Sequence, residues 1–183
     1  MAYPHLGTVL ARLTGEIYKK QKTMMTEKLQ KEMNGQISAE MWSANLYLSM
    51  AFYMQREGLD GCAHWLKKQS EEETSHACQI AEYMVKRDAT PLVDKVDVVP
   101  QTWGNALEVF EAVYEHECNV SRMINELVDV ASAEKDKATQ DFLWGFVREQ
   151  VEEEATAASI VDKLKKAGDA GLLFVDAQLG ERK

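Results

Sequence analysis

A glutamate three residues ahead of a histidine shares one face of a helix with it, and Glu73-Thr74-Ser75-His76 has that spacing. A carboxylate and an imidazole converging from one face can hold a metal ion or handle a proton. Alone the pair is weak, because a single histidine on an apolar face is more often a satisfied core residue. Its weight comes from other acids. Glu40, Glu117 and the pair Glu149 and Glu153 interrupt the apolar stripes of three further long segments.

Steps of three and four residues trace these stripes, as in left-handed bundle packing. The first reads Met33, Ile37, Glu40, Ala44, Tyr47, Ala51, Met54, and the second Cys62, Leu66, Gln69, Glu73, His76, Ile80, Tyr83. The third reads Leu107, Phe110, Tyr114, Glu117, Ser121, Ile124, Val128, and the fourth Phe142, Phe146, Glu149, Glu153, Thr156, Ile160, Leu164. The acids fall about thirteen to seventeen residues into each segment, so antiparallel packing brings them to one level. Any one glutamate on a helix is usually solvated, but coincidence across four segments is a much weaker explanation. Ionised carboxylates gathered in a core are costly, and the four stripes contain no lysine or arginine to pair with them. A multivalent cation resolves the conflict. Glu-x-x-His elements on facing helices build di-metal carboxylate sites, and several carboxylate oxygens with one imidazole suit Fe or Mn better than Zn.

The elements that position these groups are four helices over about residues 26–56, 60–88, 104–132 and 136–167, each roughly 40 to 45 Å long at 1.5 Å per residue. Prolines at positions 4, 91 and 100 leave them uninterrupted. Gly58 and Gly61 mark the first junction and Ala133 to Asp136 the third, both short enough to join antiparallel neighbours. The middle junction, Asp88 to Trp103, carries Pro91, Pro100 and the β-branched Val93, Val96, Val98 and Val99. It reads as extended, and about sixteen extended residues reach about 50 Å, the length of a helix. The expected fold is therefore an all-α four-helix bundle with one long crossover between the second and third helices. A short fifth C-terminal helix is expected over Leu172 to Leu179, after Gly168 and Gly171.

A net charge of −9 opposes a nucleic-acid-binding role and suits the handling of cations. No apolar stretch is long enough to span a membrane and no signal-peptide core is evident, so a cytoplasmic location is expected. Cys62, Cys78 and Cys118 are odd in number and form no Cys-x-x-Cys pair; they read as small buried hydrophobes. Residues 1–25 are mildly basic, with Leu6, Val9, Leu10, Leu13 and Ile17 on one helical face. They read as an N-terminal extension or leader ahead of a single domain over 26–183, with a targeting or docking arm as the alternative.

The segments Gln36 to Glu40 with Leu46-Tyr47, Glu72 to His76, Tyr114 to Glu117 and Glu149 to Glu154 resemble the helix signatures of bacterial non-haem ferritins. Trp103-Gly104 and Gly171 to Asp176 are similar to the same family. The resemblance implies a ferroxidase centre in which Glu40, Glu73 and His76 hold one iron, while Glu73 bridges to a second held by Glu117 and Glu153. Gln150 lies beside the second iron and Tyr47 next to the centre. Glu72, Glu149 and Glu152, sharing Glu153, form a third iron site. Also implied are oxidation of Fe(II) by O2 or peroxide, storage of ferric mineral, and a homo-oligomeric shell of 24 subunits.

The fourth segment reads Glu149-Gln150-Val151-Glu152 where bacterioferritin carries a second Glu-x-x-His, so no haem is expected. Rubrerythrin-like peroxidases append a Cys-x-x-Cys domain that is missing here. The DNA-protecting relatives place iron between subunits and need no ligands inside the bundle. A stand-alone di-iron oxidase or peroxidase, without mineral storage, is the alternative.

Overall fold

The structure, a computed structural model, describes residues 25–183. The leader expected over residues 1–25 lies outside the described residues except for Met25, which is buried. Four helices carry the fold: α1 Glu27–Arg56, α2 Asp60–Lys86, α3 Ala106–Ala133 and α4 Lys137–Leu179. The helical axis of α4 breaks at Gly168, whose φ of 55° and ψ of −168° suit only a residue without a side chain. Residues 169–179 are thus the expected short terminal helix.

Local chemistry fixes the helix starts. Thr26 accepts the Leu29 amide, and Asn105 and Glu108 form a reciprocal capping box ahead of α3. Asp136 accepts the Thr139 amide at the start of α4, and Arg87 reaches the same carboxylate from the end of α2 (2.9 Å). Helix α2 has no side-chain cap from its own Leu59. Asp176, on the terminal helix, supplies one instead by accepting the Cys62 amide at 2.7 Å. This docking is close: a Cβ on Gly61 would lie 1.8 Å from the Asp176 carbonyl oxygen.

Helices α1 and α2 pack as one antiparallel hairpin and α3 and α4 as another, and the hairpins meet through α2 against α4 and α1 against α3. The crossover follows α1. Asn34 accepts the Leu92 amide (2.7 Å) and donates to the Thr90 carbonyl (3.1 Å), while Ser49 donates to the Pro100 carbonyl (2.6 Å). Those anchors span fifteen residues of α1, about 22 Å of helix. Of the valines there, Val99 is buried, whereas Val93 and Val98 are exposed.

Two apolar clusters form the core. One gathers the buried faces of the stretches from Leu46 to Met54, Leu59 to Leu66, Ala106 to Val113 and Ala157 to Leu164, with Val175 and Leu179. The other gathers Met25, Leu29, Met33 and Ile37 with Ala77, Ile80 and Met84, the buried side of α3 from Val120 to Ala131, and Leu143 and Phe146. Between them lies a polar waist in which Glu40, Ser43, Gln69, Glu73, His76, Glu117 and Gln150 are buried. The acids therefore share one height, as their spacing predicts. The stripes are less uniform at the edges, since Tyr114 and Thr156 are exposed and Leu107, Tyr83 and Phe142 only half-buried. Of the cysteines only Cys62 is buried; Cys78 is exposed and Cys118 half-buried, because both fall off the apolar stripes.

Candidate functional site

Each helix delivers its polar groups to the waist by its own period. On α1, Gln36, Glu40 and Tyr47 lie along one stripe, and Gln36 Nε2 donates to Glu40 Oε1 at 2.7 Å. On α2, Gln69, Glu73 and His76 do the same, while Glu72, one position earlier, turns toward the edge and is half-buried. Helix α3 contributes Glu117. Tyr47 donates its hydroxyl proton to Glu117 Oε1, and Gln150 Nε2 on α4 donates to Glu117 Oε2 at 3.1 Å. Gln69 Nε2 donates to Glu153 Oε2 at 3.1 Å, joining α2 to α4.

Ligand-type atoms converge in two groups among the described residues. In each, one atom per residue lies within 4.8 Å of the others: Glu40, Glu73 and His76 form the inner group, Glu72, His76 and Glu149 the outer. Histidine 76 belongs to both, with Nδ1 3.6 Å from Glu73 and Nε2 3.3 Å from Glu149. Glu117 and Glu153 stand outside both groups but close enough to act on them electrostatically.

The charges are poorly compensated. Burial, followed by the nearby Glu73, holds the Glu40 carboxyl well above its ordinary value, and burial likewise raises Glu73. Burial pushes Glu117 up to about 7 against the Tyr47 and Gln150 hydrogen bonds that favour its anion. Burial, then Glu72, raises Glu153. For His76 burial opposes the proton, but Glu149 and Glu73 on its two nitrogens outweigh it and push its pKa up to about 11. The protonated ring thus takes the place of a cation between the two groups. Glu40 Oε2 and Glu73 Oε2 are buried without any hydrogen-bond partner. Orphaned acceptors of this kind are uncommon in native cores and are what a bound cation would satisfy.

Of the residues singled out from sequence, Glu40, Glu73, His76, Glu117, Gln150 and Tyr47 meet in the buried waist. Glu149 and Glu153 line its half-exposed side together with Glu72. Glu152 does not join them; it is exposed and belongs to neither group. Sequence reasoning missed four participants. Gln36 precedes Glu40 by one helical turn as Gln69 precedes Glu73, a repeated Gln-x-x-x-Glu spacing that could have revealed both. His116 packs against Trp42 and Tyr47, and burial pulls its pKa down to about 4, so it is a neutral partner of Ser43 (2.9 Å). Arg182 lies beyond the last helix, where no periodicity points to it, yet it meets Glu72 at 2.7 Å.

Comparison with known proteins follows the same lines. Residues 30–167 match the sequence model of the Ferritin family, described as a ferritin-like domain. The chain belongs to the ferritin family. It is 67% identical over 159 residues to a bacterial non-heme ferritin of Bacteroides fragilis, covering 87% of this chain and 100% of the relative. With a bacterial non-heme ferritin of Campylobacter jejuni the identity is 38% over 148 residues, 81% of this chain and 89% of that one. Among solved structures, an open pore ferritin from the archaeon Archaeoglobus fulgidus superposes with a TM-score of 0.85 at 44% identity, covering 87% of this chain and 99% of that one.

Proposed function

We propose that this protein stores iron, taking Fe(II) as its substrate at the waist of the bundle, oxidising it there and passing Fe(III) on to a mineral held inside a multi-subunit shell. One observation carries the reading: the buried group of Glu40, Glu73 and His76, in which two carboxylate oxygens have no hydrogen-bond partner. Family membership supports the same conclusion.

In this proposal Glu40, Glu73 and His76 receive the first iron, and Glu73 turns its second oxygen toward a neighbour received by Glu117 and Glu153. Glu72 and Glu149, with Glu153 at the rim, would take a third, from which Glu152 stands apart in solvent. Binding releases protons from the raised carboxyls and from His76, because the ligands must be ionised or neutral to donate to a metal. A pair of Fe(II) ions gives up two electrons, which with two protons carry O2 to hydrogen peroxide, or carry peroxide to water. Tyr47 and Gln150 orient Glu117 through its two oxygens, and the apolar clusters above and below exclude water from the waist. A Fe(III) product leaves past Glu149 and Glu153, the half-exposed side. Neither a nucleic acid nor a haem has a part here. The proposed setting is the cytoplasm; among the described residues no helix is long and apolar enough to cross a membrane.

A shell of 24 copies, as the sequence resemblance implies, would cover apolar side chains that one subunit leaves exposed, including Phe52, Leu92, Val93 and Phe174. Size-exclusion chromatography tests it directly. Aerobic addition of Fe(II) to the iron-free protein tests storage: ferric absorbance should rise, and iron in large excess over the ligand sites should co-elute with protein. Glu73→Ala should nearly abolish the fast phase of oxidation while the oligomer still forms. Retention of only stoichiometric iron would favour a stand-alone oxidase, and unchanged kinetics in the variant would refute the bridging role.

A further inference from the structure

The C-terminal residues bring a cation to the mouth of this site. Arg182 Nη2 lies 2.7 Å from Glu72 Oε2, its Nη1 donates to the Trp65 carbonyl at 3.4 Å, and its guanidinium stacks 4.6 Å from the centre of the Trp65 ring. The Arg182 carbonyl is itself 2.7 Å from His64 Nε2. Asp176 capping α2, with Gly61 making room for its backbone, holds the preceding turn in place. The arginine is thus seated by four separate contacts and not trailing in solvent.

Its partner is not an ordinary surface glutamate. Glu72 is one of the three residues of the outer ligand group, with His76 and Glu149. Arg182 also acts on Glu153, favouring the ionised form of that carboxylate. One of the two oxygens of this candidate ligand carboxylate is therefore already engaged by a fixed positive charge. The pair is only partly shielded, with side-chain exposures of 23% for Arg182 and 33% for Glu72, so the contact is weak enough to open.

We propose that Arg182 is a displaceable counter-cation for the outer group: it neutralises Glu72 while the group is empty and must yield when a divalent ion arrives. The arginine then sets how tightly the outer group retains iron, and so how readily iron moves through it. This rests on the storage reading above, in which the outer group receives metal. The residue acts through Glu72 and is a positioning residue, not a ligand.

The test uses Zn(II) as a redox-inert probe, titrated calorimetrically into the assembled, metal-free protein. A Glu40→Ala/Glu117→Ala double variant serves as the background, because the two inner irons of the proposal need Glu40 and Glu117 respectively, neither residue belongs to the outer group, and their loss isolates the outer binding step. Adding Arg182→Gln should tighten that step roughly three- to fivefold, the range expected from releasing a half-exposed ion pair. Arg182→Lys should restore the affinity of the arginine protein, since the charge is kept. Circular dichroism verifies that helicity is unchanged. Equal or weaker outer-step affinity in Arg182→Gln overturns the counter-cation role; the weaker case would mean that the arginine preorders Glu72 for metal. If the Arg182 protein itself shows no outer binding step, the outer group does not receive metal and the storage reading loses that site as well.

Discussion

Changing Glu40 to glutamine separates two demands that the bundle's waist must meet. In the metal-free protein Glu40 Oε2 is buried without a donor, and burial together with Glu73 holds the carboxyl well above its ordinary value of 4.5. A glutamine keeps an oxygen for Gln36 Nε2, which now sits 2.7 Å from Glu40 Oε1, and replaces the orphaned acceptor with an amide donor facing Glu73. Relief of one unmet buried group is worth about 1 to 3 kcal/mol. In a subunit of this size each kcal/mol moves the unfolding temperature by about 2 to 4 °C. The pH dependence has a definite sign. The folded-state pKa of Glu40 is raised, so below the unfolded value of 4.5 the carboxyl is protonated in both states and costs little. As pH rises through the raised folded value, the folded protein must ionise a buried group and loses stability. Glu117, pushed up to about 7, adds a loss of the same sign in the same window. The advantage of Glu40→Gln should therefore be small near pH 4.5 and widen toward neutrality and above. Scanning calorimetry of chelator-treated protein across that range measures it. Saturating Zn(II) should reverse the order, since a ligand at a hundred times its Kd stabilises by about 2.7 kcal/mol and the variant has lost a donor. An acid-to-neutral series in which the metal-free variant gains nothing on the parent would refute the view that these carboxylates are held against the fold's own interest.

Two further changes probe the supports of the site. Tyr47→Phe removes the hydroxyl that favours the Glu117 anion, so the Glu117 pKa should climb further above about 7; the pH at half-maximal Fe(II) oxidation should move upward in stopped-flow measurements, and an unmoved profile would dissociate Tyr47 from Glu117. Gly61→Ala places a methyl 1.8 Å from the Asp176 carbonyl oxygen, so the terminal helix must unseat. A loss of about 1 to 3 kcal/mol is expected, as for other overpacked sites, with residues 169–183 becoming the first segment cut in limited proteolysis; resistance equal to the parent would show that the docking is loose.

The helices and their order were legible because the apolar residues recur at bundle spacing and the breakers cluster at the junctions. Segment ends expected at 56, 60, 132 and 136 fall within a residue or two of the observed ends. The centre was legible for a different reason: an acid on an apolar stripe violates the pattern, and four stripes violated at one depth leave little else to infer. Legibility faded at the edges of the stripes. Glu152 carries the same residue type as its neighbours, yet a step of three from Glu149 rotates it past the interface into solvent. Cys78 is exposed by the same geometry, two positions beyond His76. Contacts made by the tail were invisible, since Asp176 capping α2 and Arg182 meeting Glu72 join positions more than a hundred residues apart with no periodic signal between them.

The arrangement of the core explains how the fold tolerates such a centre. Apolar clusters on either side of the waist draw side chains from all four helices, so neither half depends on the acidic layer for its packing. Hydrogen bonds across the waist, Gln69 to Glu153 and Gln150 to Glu117, tie helices together, and Gln36 steadies Glu40 within α1, all using neutral amides as donors. An amide donor steadies a carboxylate without neutralising it, whereas a lysine or arginine in the same place would pair with it and compete with an incoming metal. Among the described residues, the cationic group inside the waist is His76, whose charge is a proton that can leave when iron arrives. Charge compensation has thus been kept removable at the centre, and a permanent positive charge, Arg182, stands at the mouth, where the contact is partly exposed and can open.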